Sequence, residues 1–202
     1  MAGKPGLRIL FGSGCPVGYE IHAPEVRYVD DFFKMKCAPD LLLAKIYPNV
    51  KEVTESAGAY AAVRKHLRLD LTDPNVTCVC VGDGATPRTG AMFAFRSAWN
   101  VVSVDPLLKM EGKWKSIDRL LCVKSRIEDY KLITDGPMVI VGTHSHATIP
   151  ACLAQLHSHS VRHLVAIPCC VPLEIPGKSP YITYRDWGIW SPENEVSVWR
   201  DI

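Results

Sequence analysis

The sequence predicts an α/β fold: a parallel sheet flanked by helices and ending in an antiparallel β-hairpin. Three observations carry that expectation. Short apolar runs alternate with longer mixed segments from Val76 onward, a Gly-rich turn follows the first run, and the last aromatic stretches flank a polar turn. Strand–helix alternation of this kind leaves few solutions besides parallel strands joined by right-handed crossovers.

Composition sets the class. Apolar residues are 48% of the 202 and charged ones 22%, with a net charge of +2, the mix of a soluble globular chain. That excludes a disordered tail, a fibrous repeat and a membrane bundle. No run approaches the roughly 18 apolar residues of a membrane-spanning helix. The opening MAGKPGLRILFGSGCP has too short an apolar core for a secretory signal. Eight irregularly spaced cysteines without a C-x-x-C make no disulfide scaffold. Cys78, Cys80 and Cys122 sit in apolar runs, where a thiol acts as a small hydrophobe. A reducing, cytoplasmic setting is expected.

Residues 1–35 show no period. From Asp40 the pattern turns helical, and 51–68 places Val53, Ala57, Tyr60, Ala61 and Leu67 on one face, as in a helix packed on a core. Asp73-Pro74-Asn75 then breaks the chain. The expected organisation is an N-terminal segment, 1–70, whose helices pack on or cap the core, and an α/β unit, 71–202. The β-branched run 76–81 (VTCVCV) reads as a strand buried on both faces. Residues 87–98 read as a helix with Pro87 near its first position, where a missing N–H costs little. Residues 101–104, 120–123, 138–141 and 163–167 give four more strands. Residues 149–156 have helical spacing. Residues 181–190 and 195–199, aromatic and β-branched around Ser191-Pro192-Glu193-Asn194, give the hairpin.

In an open α/β sheet, ligands bind at the carboxyl ends of the strands, where strand order reverses. Val81-Gly82-Asp83-Gly84-Ala85-Thr86-Pro87 lies at the first such end. Its glycines let a ligand approach the backbone, and the next helix offers unpaired N–H groups; a glycine pair can also do no more than shape a turn. Asp105 ends the second strand about 20 residues on, where a carboxylate accepts hydrogen bonds from ribose hydroxyls. The G-x-G-x-x-G fingerprint fails because its third glycine is Pro87, which sets a nicotinamide enzyme well back, and there is no P-loop. A nucleoside ligand without pyrophosphate is expected, S-adenosylmethionine above all.

On these residues the chain, from about 76 to the C-terminus, resembles a class I S-adenosylmethionine-dependent methyltransferase, a Rossmann-like family. The family's first motif reads acidic-x-Gly-x-Gly-x-Gly; here Cys80 stands at the leading acid and Thr86 at the last glycine, and Asp83 lies in the same loop. The resemblance implies that Gly82, Asp83, Gly84 and Ala85 hold the cofactor, with Thr143 beside them. By the same resemblance, Asp105 binds the ribose, and Ile127 and Glu128, in the segment 126–129, lie against the adenine. It also implies an antiparallel strand tucked into the sheet edge.

The fourth strand runs into Gly142-Thr143-His144-Ser145-His146 and the fifth into Pro168-Cys169-Cys170, both at carboxyl ends. A histidine with a downstream Pro-Cys-Cys is similar to the subset of the family related to eukaryotic tRNA ribose methyltransferases. Three readings of these residues stay open. His144 or His146 can act as a general base on a hydroxyl, since an imidazole titrates near neutral pH. The pair at i, i+2, on one side of an extended chain, can join a cysteine around a metal. Or each histidine satisfies backbone groups at a strand end. No metal site is expected. The acidic or Asn, Pro-Pro, aromatic motif of many amino-methyltransferases is absent, which points to oxygen as the acceptor.

From the end of the second strand to just past the third, Lys109, Lys113, Lys115, Arg119, Lys124 and Arg126 face only Glu111 and Asp118. Such a basic region, 109–126, suits RNA or is simply a solvated face. Two functions follow: an S-adenosylmethionine-dependent O-methyltransferase, or a catalytically inactive relative serving as a binding or scaffold protein. No membrane partner is expected; an oligomer is compatible with either.

Overall fold

The apolar runs become the inner strands of one seven-stranded sheet in the computed structural model, which describes residues 25–169 and 174–202. Three helices come first: α1 (Arg27–Lys34), α2 (Ala38–Leu43) and α3 (Val50–His66). Then follow β1 (Thr77–Val81), α4 (Arg88–Arg96), β2 (Asn100–Val104), β3 (Leu120–Val123), β4 (Leu132–Thr134) and β5 (Met138–Thr143). The chain ends with α5 (Ile149–Gln155), β6 (Leu156–Ser158), β7 (Arg162–Ile167), β8 (Ile182–Arg185) and β9 (Glu195–Trp199). The strand order is β3-β2-β1-β5-β7-β9-β8. From β3 to β7 all pairings are parallel, whereas β9 runs against both β7 and β8. This is a Rossmann-like sheet with the reversed strand that the resemblance implies.

Successive side chains on a strand point to opposite faces. Cys78 and Cys80 of β1 join one core with Val139, Val165 and the helices α1 to α4. Val79 and Val81 join another with Val102, Ile140, Leu164 and the side chains of α5 and β6. Both faces are covered, which is why the strand sequences show apolar runs without alternation.

Asn49 caps α3 by accepting the Glu52 N–H at 3.1 Å. The helix packs on β5, β7 and β9 as well as on α1 and α4. It is therefore buried almost all round. Val53, Ala57, Tyr60 and the following Leu67 are inside as expected, but so are Thr54, Glu55, Ser56 and Gly58, while Ala61 is only partly covered. A Cβ at Gly58 would lie 2.6 Å from the Ile189 side chain, so the loop after β8 rests on the helix backbone.

Four elements differ from expectation: α1, β4, β6 and β8. Helix α1 forms within residues 1–35, where no period was visible, and buries only Tyr28 and Phe32, two residues on one side of a short helix. β8 stops at Arg185 instead of running to 190, because the buried Asp186 carboxylate turns the chain. It accepts the Gly188 N–H at 3.0 Å and the Tyr28 hydroxyl at 2.6 Å, and pairs with the Arg27 guanidinium, tying the loop to α1. A separate two-stranded parallel sheet, β4 with β6, is formed by segments too short to carry a sequence signal. The expectations for the first 24 residues and for Cys170 lie outside the described residues. Among the described residues, no helix is long and apolar enough to cross a membrane.

Candidate functional site

The connections leaving β1 and β5 part company at their carboxyl ends, since β1 is followed by β2 and β3 on one side and β5 by β7 on the other. Open α/β sheets hold ligands at this position. A crevice of about 570 Å³ lies there, within the usual size of small-molecule sites. Its walls are Val81 ending β1 with Gly82 and Gly84 beyond it, Arg88 opening α4, residues 104–107 at and beyond the end of β2, 125–128 after β3, and 144–147 after β5.

Gly82 adopts φ +72°, and its N–H donates to the Val104 carbonyl at 2.9 Å. A Cβ there would lie 2.7 Å from Ser145 Cβ and 2.9 Å from Ser145 Cα, so the loop after β5 sits directly on the glycine. A Cβ at Gly84 would meet the Arg88 guanidinium. Both glycines thus serve contacts within the protein and also line the crevice. Asp105 lines it too. Its Oδ2 accepts the Gly84 N–H at 2.8 Å and its Oδ1 the Leu107 N–H at 2.7 Å. A carboxylate has about four acceptor positions, so roughly half remain for a ligand. Ile127 forms a buried apolar wall, with Glu128 exposed beside it.

Three expected contacts do not line the crevice. Asp83 points inward: its carboxylate accepts the Thr89 N–H at 2.7 Å, the Gly90 N–H at 2.9 Å and the Ser103 hydroxyl at 2.8 Å. It satisfies the start of α4. Burial raises the Asp83 carboxyl above its ordinary range, and the Gly90 and Thr89 N–H groups offset that only in part. Ala85 is exposed on the outer side of the turn, and Thr143 is buried beneath the strand end.

The two histidines part company. His144 has φ +51°, a conformation uncommon for a side-chain-bearing residue, so the chain turns there and the i, i+2 alignment of an extended strand is lost. His146 is exposed at the crevice rim. The His144 N–H donates to the Ile167 carbonyl at 2.8 Å. Its ring turns toward α3, with Nε2 at 3.0 Å from Glu55 Oε1, off the straight N–H···O line. Among the described residues, no three His, Cys, Asp or Glu side chains gather as a metal site.

Sequence reasoning missed the α3 contribution. Glu55 is 2% exposed and also bonds Lys51 Nζ at 2.7 Å. Burial alone would raise its carboxyl; the contacts with His144 and Lys51 outweigh that and hold it at about 2. One turn earlier, Glu52 pairs with the guanidinium of Arg88, whose Nε donates to the Asp83 carbonyl at 2.8 Å. An arginine at a helix start opposes the helix dipole, and that local mismatch was the available signal for a partner.

No protein-family model matches the chain, and no curated protein matches it significantly. Among solved structures it is similar to a Methanococcus maripaludis protein described as an S-adenosyl-L-methionine-dependent methyltransferase, with 14% identity and a TM-score of 0.40 over 70% of this chain and 62% of that one. It is also similar to MtNAS in complex with MTA and tNA, with 12% identity and a TM-score of 0.48 over 86% of this chain and 67% of that one. A third likeness is to a cyclopropane-fatty-acyl-phospholipid synthase-like protein from Lactobacillus casei, with 14% identity and a TM-score of 0.39 over 70% of this chain and 57% of that one. The chain spans less than two thirds of the length of the first of these. Identities this low carry no information about substrate or chemistry.

Proposed function

We propose that the crevice binds S-adenosylmethionine and that the protein transfers a methyl group to a hydroxyl oxygen. The observation that carries this reading is Asp105: a carboxylate at the end of β2, beside the 82–84 turn, with acceptor positions to spare in a crevice at the strand-order switch. The other lining residues fit the same ligand. Ile127 and Leu107 offer apolar surface to a planar base, and Glu128 lies within reach of its polar edge.

When bound, S-adenosylmethionine would supply an electrophilic sulfonium methyl group, with a neutral thioether as the leaving group. The chain's own part is to position the acceptor and take its proton. As the acceptor oxygen gains the methyl group, its hydroxyl proton passes to His144, the histidine that both lines the crevice and is anchored in the fold. Exposed Lys109 after β2 and Lys124 after β3, both following carboxyl ends of the sheet, suit an RNA ribose as the acceptor. The inactive reading has its own support: Asp83 is spent inside the fold, and Ser145 rests on Gly82.

Calorimetry with S-adenosylmethionine and S-adenosylhomocysteine separates the two. Binding by the wild type, weakened about tenfold or more in Asp105→Ala, supports the proposal, since a hydrogen bond to a charged group is worth about 1.5–3 kcal/mol. Unchanged affinity in Asp105→Ala refutes the role given to that residue. No heat with either ligand favours the inactive protein.

A further inference from the structure

The geometry points to a buried glutamate–histidine pair in which Glu55 of α3 is the positioning residue for His144. It rests on the proposed function for its purpose, but its structural content stands apart from any cofactor. The chain arranges this pair at some cost. Glu55 is removed from solvent on a helix more than 80 residues upstream in sequence. His144 is held in the left-handed backbone region, uncommon outside glycine although histidine enters it more often than most residues do. Such a conformation persists only where its surroundings over-determine it, and it concentrates at functional positions. Here three features do so: the N–H bond to Ile167, the Ser145 loop seated on Gly82, and the Glu55 contact.

The consequence is a choice between the ring nitrogens. His144 Nε2 is fully buried and 3.0 Å from Glu55 Oε1. A carboxylate at that distance keeps the proton on Nε2 in the neutral ring. The ring itself remains 16% exposed and lines the crevice. Nδ1 is then the nitrogen available to accept a proton from a bound hydroxyl, and Glu55 stabilises the imidazolium that results. The bent contact is the looseness common in acid–base pairs before substrate tightens them. Lys51 shares the Glu55 oxygen and tempers its charge, and Glu52 neutralises Arg88 close by. The charged groups beside the pair are Lys51 and Glu52 from α3, and those sharing the crevice with His144 are Arg88 from α4, Asp105 from the end of β2, Arg126 and Glu128 after β3, and His146 from its own loop.

The test is nitrogen-resolved NMR of the His144 ring in the full chain without added ligand, its signal assigned by loss in His144→Asn. Long-range proton–nitrogen spectra of the wild type should show the neutral ring protonated on Nε2, with the Hε2 proton visible, displaced downfield and slow to exchange because it is buried against the Glu55 carboxylate. In Glu55→Gln, whose neutral amide oxygen is a weaker acceptor than a carboxylate, that proton should move upfield. In Glu55→Ala it should broaden into exchange with water. A glutamate that only fills space would leave the Hε2 signal unmoved. A wild-type ring protonated on Nδ1, or an Hε2 signal unchanged in Glu55→Gln, overturns the inference. If neither Glu55 variant folds, the wild-type spectrum decides alone: an exchange-protected, downfield Hε2 supports the pair, and its absence overturns it. Because Glu55 does not line the crevice, Glu55→Gln should keep the wild-type affinity for S-adenosylhomocysteine. Failure of the Hε2 signature with cofactor binding intact defeats only this inference; loss of cofactor binding in the wild type with the signature intact defeats only the methyltransferase reading.

Discussion

Replacing Gly82 with alanine tests how tightly the crevice floor is built, and its cost divides into two parts that can be measured separately. The first is conformational: at φ +72° a Cβ meets its own backbone, a penalty of about 1–2 kcal/mol. The second is steric. The new Cβ would sit 2.7 Å from Ser145 Cβ and 2.9 Å from Ser145 Cα, so the loop after β5 must move, at about 1–3 kcal/mol for overpacking. The sum is about 2–5 kcal/mol. Gly177→Ala isolates the first part, because Gly177 has φ +73° and nothing lies within 4 Å of where its methyl carbon would stand. Gly136→Ala isolates the second, since its Cβ would lie 3.0 Å from the Asn75 carbonyl carbon, and closer still to the oxygen. Urea unfolding of the three variants, analysed with a common slope, should rank Gly82→Ala clearly below Gly177→Ala. Adding Ser145→Gly to Gly82→Ala removes the Oγ and Cβ contacts and should return part of the loss. If Gly82→Ala is no less stable than Gly177→Ala, Ser145 yields freely and the packing argument for the crevice floor is wrong.

Two further outcomes follow from buried polar groups. His66 and His163 titrate below their ordinary range, with burial the largest cause. The unfolded chain then binds protons that the folded one does not, so stability is complete above about pH 6.5 and falls as the pH drops below it. His66 Nε2 is buried without a hydrogen-bond partner, so His66→Phe should flatten the dependence of Tm on pH just below 6.5. It should leave the lower-pH loss in which the Glu55 carboxyl, held at about 2, takes up its proton; parallel profiles for wild type and variant would contradict this. Asp186→Ala strands the buried Tyr28 hydroxyl and releases Arg27, which should cost about 2–3 kcal/mol in urea unfolding. A loss below about 0.5 kcal/mol, the size of an ordinary surface change, would show that α1 does not depend on that anchor.

Much of the sheet was legible because its signals are local. The run 76–81 is β-branched throughout apart from its two cysteines, the glycine turn follows it directly, and the aromatic C-terminal stretches are separated by a polar turn. What was not legible depends on distant packing. β4 and β6 are three residues each, too short to show a period. Strand β8 ends early because Asp186 folds back on residues near the start of the described chain, and nothing within 181–190 announces it. Glu55 lies off the apolar face of Val53, Ala57 and Tyr60, and only the covering of α3 by both the sheet and α1 makes that polar side an interior one. Asp83 carried the right chemistry in the right loop, yet the N–H groups of α4 claim it first. The expected alignment of His144 with His146 assumed extended chain, and a single positive φ removes it.

The position of α3 in the chain also sets the order of assembly. During synthesis this helix leaves the ribosome well before β5, β7 and β9, the strands on which it comes to rest. It must wait for its platform, and its mixture of alanine, glycine, threonine, serine and glutamate along 54–59 offers little greasy surface for stray association meanwhile. Docking closes loops of long sequence separation, the kind of step that slows folding. The histidine chemistry at the mouth of the sheet therefore ripens last, when an early segment meets a late one.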